Sequence, residues 1–374
     1  MTGTDSQHPS DESPSVVISV DAMGGDLGPA SVIDGLCKFA SQNDDARFVV
    51  HGDQHALDPL VLRQELLKDR CEVRHAERTV AMGERPSHVM RHGRNTSMWA
   101  ALKSVGKGES TVAVSCGNTG ALLALAMSCL RRAPGINRPA IAVLWPSRDP
   151  DRFNVVLDVG ADVRADAEDL LQFALMGVSY SRNSFDRERP RVGLLNVGTE
   201  EHKGRDELRA AYGLIAAAAE TNGYEFAGFV EGGDLPSRHV DVIVTDGFTG
   251  NVALKTAEGT ASLISDLLKE AFRHSLLSRL GALCSYTSLG RFRRRIDPRR
   301  VNGGVFLGLN GIVVKSHGSA DSTSVSAAVT LAYRLSRLRF HEKLAARVAS
   351  GAATIPATDA GTDEQKPVGA AATC

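Results

Sequence analysis

VVISVDAMGGD, residues 16–26, holds the pattern on which the fold turns: a run of β-branched residues, an acid, then paired glycines, with a helical pattern starting at Pro29. A strand, a glycine-bearing turn and a helix in that order make the repeating half of a parallel, helix-connected sheet. The unit recurs. Arg47–Gly52 precedes a helix through Leu60 and Leu67, Thr111–Ser115 one from Thr119, and Phe153–Asp158 one around Leu170–Met176. Arg191–Val197 leads to a helix over Leu208–Ala219, Val240–Asp246 to one from Gly250, and Gly311–Lys315 to one from Ser319. Parallel strands are buried on both faces and read as continuous rather than alternating apolar runs, as TVAVS, NVVLDV, VGLLNV, VDVIVTD and GIVVKS do. The sequence therefore predicts an α/β protein with a doubly wound, mostly parallel sheet.

The 374 residues suffice for one large core or two joined ones. Residues 15–347 are read as the α/β domain, with the polar stretch between Trp145 and Phe153 as a candidate boundary between lobes. Residues 1–14 and 348–374 are poor in bulky apolar side chains and are expected to be disordered tails. Forty-three basic against 44 acidic residues leave no global field of the kind a nucleic-acid binder carries. The six cysteines show no CxxC and no metal-ligand spacing, and neither a secretion signal nor an apolar run of membrane-spanning length occurs. These features predict a cytoplasmic protein with reduced thiols and without a metal or cofactor.

Ligands of such sheets sit beyond the carboxyl ends of strands, where free amides at helix N-termini favour anions. The candidate turns are Met23–Asp26, Ser115–Gly120, Asn196–Thr199, Asp246–Asn251 and Lys315–Ser319. None is a GxGxxG or GxxxxGK[ST] loop, so a small oxyanion is favoured over a dinucleotide or nucleoside triphosphate. Gly117, Asn118, Thr119, Gly120, Thr249, Asn251 and Lys315 are the candidate anion-binding residues, and Lys203, Asp246 and His317 the candidate catalytic ones; each has a plain capping or surface role as its alternative. The turns are expected to converge at one rim of the sheet. Cys116 lacks a neighbouring His to activate it as a nucleophile, and Asp158 and Asp162 can serve equally as acid/base groups or as helix caps. Residues 272–300 set leucines, Leu276, Leu277 and Leu280 among them, between eight arginines and the single acid Asp297. Such a basic amphipathic segment suits an anionic membrane or an acidic partner; a helix pair at a dimer interface is the other reading.

These motifs together resemble the phosphate acyltransferases of bacterial phospholipid synthesis. Val20–Asp26, Ser115–Ala121, Asp158–Ala161, Gln172–Gly177, Lys203-Gly204, Asp246–Asn251 with Lys255, and Lys315–Gly318 occur in the family's order, from about Val16 to Ala346. Cys116 departs from the small residue, such as Ala, expected there, and Asp162 stands where the family often has Asn or Val nearby. The resemblance implies a fold like that of phosphotransacetylases and of isocitrate and isopropylmalate dehydrogenases, a homodimer, and peripheral attachment to the inner face of the cell membrane. It implies transfer of a fatty acyl group from acyl carrier protein to inorganic phosphate, the acyl phosphate passing to a membrane-bound glycerol-3-phosphate acyltransferase. A phosphotransacetylase using acyl-coenzyme A and a non-catalytic lipid-synthesis scaffold are the alternatives.

Overall fold

The computed structural model describes residues 16–149, 152–296 and 303–344. Both tails assigned from sequence lie outside these residues, as do 297–300 of the basic segment.

The helices and strands follow the repeating unit. In the first part, β1 (Val16–Asp21), α1 (Gly28–Ala40), β2 (Ala46–Gly52), α2 (Gln54–Leu62) and β3 (Cys71–His75) precede α3 (Pro86–His92), α4 (Ser97–Gly106), β4 (Val112–Ser115) and α5 (Thr119–Cys129). Next come β5 (Ala140–Pro146), β6 (Phe153–Leu157), α6 (Ala167–Phe185), β7 (Arg191–Leu195), α7 (Asp206–Ala218), β8 (Glu225–Val230) and β9 (Val242–Val244). The long α8 (Gly247–Arg273), α9 (Leu276–Cys284), α10 (Tyr286–Ile296), β10 (Gly304–Leu307), β11 (Ile312–Lys315) and α11 (Ser322–Arg337) complete it.

Among the described residues eleven strands join one sheet in the order β3-β2-β1-β4-β11-β10-β5-β6-β9-β7-β8. The polar stretch after Trp145 is no break in it: β5 and β6 pair antiparallel with Pro146 opposite Phe153. Alternate strand residues supply two cores, as a period of two requires. Val155 and Leu157 of β6 and Val242 and Val244 of β9 belong to a core with residues of α1, α6, α7 and α11, whereas Val156 and Ile243 join residues of α3, α4 and α5 on the other face. Helices on both faces and strands buried on both sides are what the continuous apolar runs predict.

Strand direction is where the structure departs from the expected single rim. The β11–β10, β10–β5 and β5–β6 pairings are all antiparallel. Three reversals set β6, β9, β7 and β8 opposite in direction to β1, β2, β3, β4 and β11. The carboxyl ends of the two parallel groups therefore open toward opposite edges of the sheet. α8, about 40 Å long at 1.5 Å per residue, connects them: it starts against the turn after β6, and its third and fourth turns reach the turn after β11.

Candidate active site

The first group of turns is built around a buried acid. Asp21, at the end of β1, is 1% exposed; its Oδ1 accepts from Ser97 Oγ (2.6 Å) and its Oδ2 from Ser115 Oγ (2.7 Å). Burial raises its carboxyl above the ordinary range, and these hydrogen bonds oppose that. They fasten the turn after β1 to the turn after β4 so closely that a Cβ on Gly24 would come 2.7 Å from both Asp21 Oδ2 and the Gly117 amide. Gly117 N donates to Ser115 Oγ, and Gly120 packs beside Pro86. Asn118 caps α5, accepting from Ala121 N at 3.0 Å, and its amide donates to the carbonyls of Met82 and Glu84. Its side chain is thereby fully engaged, and Thr119, the first residue of α5, faces the open space.

β11 lies parallel to β4 with Lys315 opposite Ser115. The Lys315 ammonium is buried and donates to the carbonyls of Cys116 and Ser316. Burial, with Lys255 nearby, brings its pKa down to about 8. Burial also raises the Cys116 thiol to about 11, which removes it as a nucleophile at neutral pH. His317 follows Lys315 by two residues, its Nε2 3.2 Å from Lys255 Nζ; Lys255 also pairs with Glu258 at 2.8 Å. Burial first, and then the Lys255 charge, hold the His317 imidazole below its ordinary pKa.

In the second group, Asp158 is fully buried and its two oxygens accept from the amides of Ile141, Gly160, Ala161 and Asp162 at 2.8–3.2 Å. This carboxylate shapes the turn after β6 and ties it to β5. Asp162 pairs with Arg138. Asp246 caps α8, accepting from Thr249 N and Thr249 Oγ1 at 2.9 Å each and from Arg205. Burial would raise its carboxyl, but the Thr249 and Arg205 hydrogen bonds outweigh that and hold it below the usual range. The start of α8 presses so tightly on the β6 turn that a Cβ at Gly250 would collide with the Asp158 carbonyl, which brings Asn251 against Gly160.

Both groups line one cavity of about 760 Å³ over β5 and β10. Thr119, Lys315, Ser316 and His317 come from the first group; Gly160, Asn251, Lys255 and Glu258 from the second. Of the residues singled out from sequence, Thr119, Asn251, Lys315 and His317 thus share the cavity. Gly117, Asn118, Gly120, Asp246 and Thr249 form or cap the turns that present them. Lys203 sits in the loop after β7, ion-paired with Glu200 at 2.7 Å and 42% exposed, and is not among the cavity's lining residues. Leu276, Leu277 and Leu280 lie on α9, 61–82% exposed. Lys255 and Glu258 were not singled out as site residues, although Lys255 stands four residues after Asn251 on the same helix face. Among the described residues no group of three or more His, Cys, Asp or Glu comes together as a metal site would require. The arrangement offers cations and a helix N-terminus to an anion beside an apolar wall formed by alternate residues of β5.

Two solved structures share the fold: a phosphotransacetylase from Streptococcus pyogenes (TM-score 0.58, 14% identity, 86% of this chain and 94% of that one) and one from Staphylococcus aureus (TM-score 0.53, 15% identity, 88% and 95%). A family model described as "Fatty acid synthesis protein" matches residues 16–343. The chain is 65% identical over 335 residues to a phosphate acyltransferase of Cereibacter sphaeroides, covering 90% of this chain and 91% of the relative. It is 66% identical over 334 residues to that of a Ruegeria species, covering 89% of each. Extended over nearly the whole sheet and every turn around the cavity, this similarity establishes that the chain belongs to the phosphate acyltransferase family, a family of acyltransferases.

Proposed function

We propose that the protein transfers a fatty acyl group from acyl carrier protein to inorganic phosphate, forming an acyl phosphate for phospholipid synthesis. The observation that carries this reading is the shared cavity, in which Lys315, Lys255, His317 and the N-terminus of α5 line one side while β5 offers an apolar surface. Phosphate near neutral pH is already largely a dianion and needs no strong base to attack a thioester carbonyl. The protein's part is to hold the phosphate close to the carbonyl and to stabilise the oxyanion as the carbon–sulfur bond weakens. Lys315, held rigidly by two carbonyls, supplies a cation at a fixed place; Lys255 adds a second, with His317 and Glu258 setting its position. Thr119 and Asn251 add uncharged donors from either side. Asp246 acts by fixing the start of α8.

Incubating the purified protein with palmitoyl-carrier and phosphate, then trapping acyl phosphate as the hydroxamate, tests the reading. Phosphate-dependent hydroxamate from the carrier-bound donor is expected; formation from coenzyme A thioesters alone would assign a phosphotransacetylase, and none from any thioester a non-catalytic scaffold.

The same reading places the protein in the cytoplasm, on the inner face of the cell membrane. Among the described residues no helix is long and apolar enough to cross a membrane. The exposed leucines of α9 and the arginines around them suit a bilayer surface, where the acyl phosphate would meet the membrane-bound glycerol-3-phosphate acyltransferase. A homodimer is supported by α8, which beyond the cavity exposes Leu263, Ile264 and Leu267 on one stretch of helix. Sedimentation should give twice the chain mass, and Leu267→Glu should shift the protein toward monomer.

A further inference from the structure

The cavity has an apolar limb as well as a charged centre. Ile141, Val143 and Trp145, alternate residues of β5, line it from the sheet, and Leu254, Ala257 and Ala261, at helical spacing on α8, line it from the other side. The two walls run in the same direction. On α8, Asn251 meets Gly160, Lys255 and Glu258 then reach His317, and Ala261 follows on the next turn. On β5, Ile141 neighbours the Asp158 turn, and Val143 lies beside Gly304, the residue paired with Lys315. Trp145 comes two residues later, past the last pairing of β10. The level of the cations is therefore mid-cavity, with Trp145 and Ala261 beyond it; Phe292 of α10 and, after β5, Ser147 and Arg148 also line the cavity.

We propose that this limb holds the acyl chain of the thioester donor and that Ala257 and Ala261 set the length of chain admitted. The proposal rests on the transfer reading given above. A phosphate and a thioester carbonyl at Lys315 leave most of 760 Å³ unfilled, a volume within the range of about 300–1,000 Å³ typical of sites for larger ligands. Two alanines one turn apart, where a core-facing helix ordinarily carries Leu or Ile, leave the space between helix and strand open. Each methylene buried there strengthens binding about fourfold, so the limb rewards long chains and gives a short acyl group nothing. Phe292 of α10, which continues the leucine-bearing α9, also lines the cavity, so the limb adjoins the segment assigned to the membrane surface.

The test uses the full chain, Ala261→Phe and Trp145→Phe with octanoyl-, dodecanoyl- and palmitoyl-carrier, scored by hydroxamate trapping. Ala261→Phe should lower kcat/KM for the palmitoyl donor at least about tenfold while octanoyl changes by less than about twofold, the loss growing with each methylene excluded. An equal loss at every length, or an unchanged profile, overturns the proposal. A second measurement needs no turnover: a palmitoyl-carrier bearing a nitroxide on its chain should quench tryptophan fluorescence in the natural protein. The quenching should vanish in Trp145→Phe, where Trp99 is the remaining tryptophan. No quenching, or equal quenching in the variant, places the chain elsewhere and overturns the limb. Quenching at Trp145 without acyl phosphate from any donor would instead overturn the transfer reading and leave the chain site standing.

Discussion

At the scale of single residues, Lys315 shows how placement and stability pull apart. With its pKa near 8 against an ordinary 10.5, the folded protein favours the neutral amine, so stability should rise with pH between about 8 and 10.5 and be lower below. Function runs the other way: the cation that holds phosphate is lost as pH rises through 8. The phosphate KM of the natural protein should therefore climb above about pH 8, whereas Lys315→Arg, whose guanidinium stays charged, should flatten the profile. Lys315→Met should cut kcat/KM for phosphate by about 10- to 100-fold, since a hydrogen bond to a charged group contributes about 1.5–3 kcal/mol, while Tm should change little, the removal of a buried charge being offset by the Cys116 and Ser316 carbonyls left without their donor. A fall in both Tm and activity would make Lys315 a structural residue. Gly250 carries a different constraint. Ala there meets the Asp158 carbonyl, so α8 must move; the cost should be about 1–3 kcal/mol with a raised phosphate KM, measured by denaturant titration and kinetics together.

At the scale of elements, Asp246 separates capping from chemistry. It was singled out from sequence as an acid/base candidate, and its carboxylate is wholly occupied by Thr249 and Arg205. Asn keeps an N-cap, and Ala loses one at about 1 kcal/mol. Asp246→Asn should retain most of the stability and turnover and Asp246→Ala should lose both, thermal melts and phosphate kinetics being the measurements; equal loss of turnover in the two, at unequal stability, would give the carboxylate a direct part in the reaction. The elements themselves differ in how plainly the sequence announces them. β1, β2, β4, β6, β7, β9 and β11 read directly, because each is apolar on both faces and ends in a glycine turn. β3 and β8 do not: they lie at the two edges of the sheet, where Glu72, Arg74 and Glu225 interrupt the apolar run. β10 has four residues and follows the arginine-rich segment, and β5 ends in Trp-Pro rather than glycine, so neither carries the signal that marked the others.

At the scale of the whole molecule, strand direction is the property least visible in the sequence. An apolar run has the same composition in either direction, and only the pairings of β5 and β10 reveal that the two halves oppose each other. The turns were legible and their meeting was not, since it depends on α8 spanning the sheet. Charge shows a similar contrast of local and global. The chain's net charge is −1, yet eight arginines and one acid fall within residues 272–300. This segment is therefore a local source of attraction to an anionic surface that the net charge hides, and over a Debye length of about 8 Å in physiological salt more distant charges are screened from it. Leu276, Leu277 and Leu280, all largely exposed, would add apolar contact that salt does not weaken. Binding to anionic vesicles should accordingly fall, without vanishing, as salt is raised, and should be lost when the three leucines are replaced by Gln. The triple variant should keep its Tm, because the replaced side chains are 61–82% exposed, and should still turn over a soluble carrier-bound donor. Retained vesicle flotation would assign α9 and α10 to contact between subunits, and sedimentation of the same variant would then show the dimer weakened.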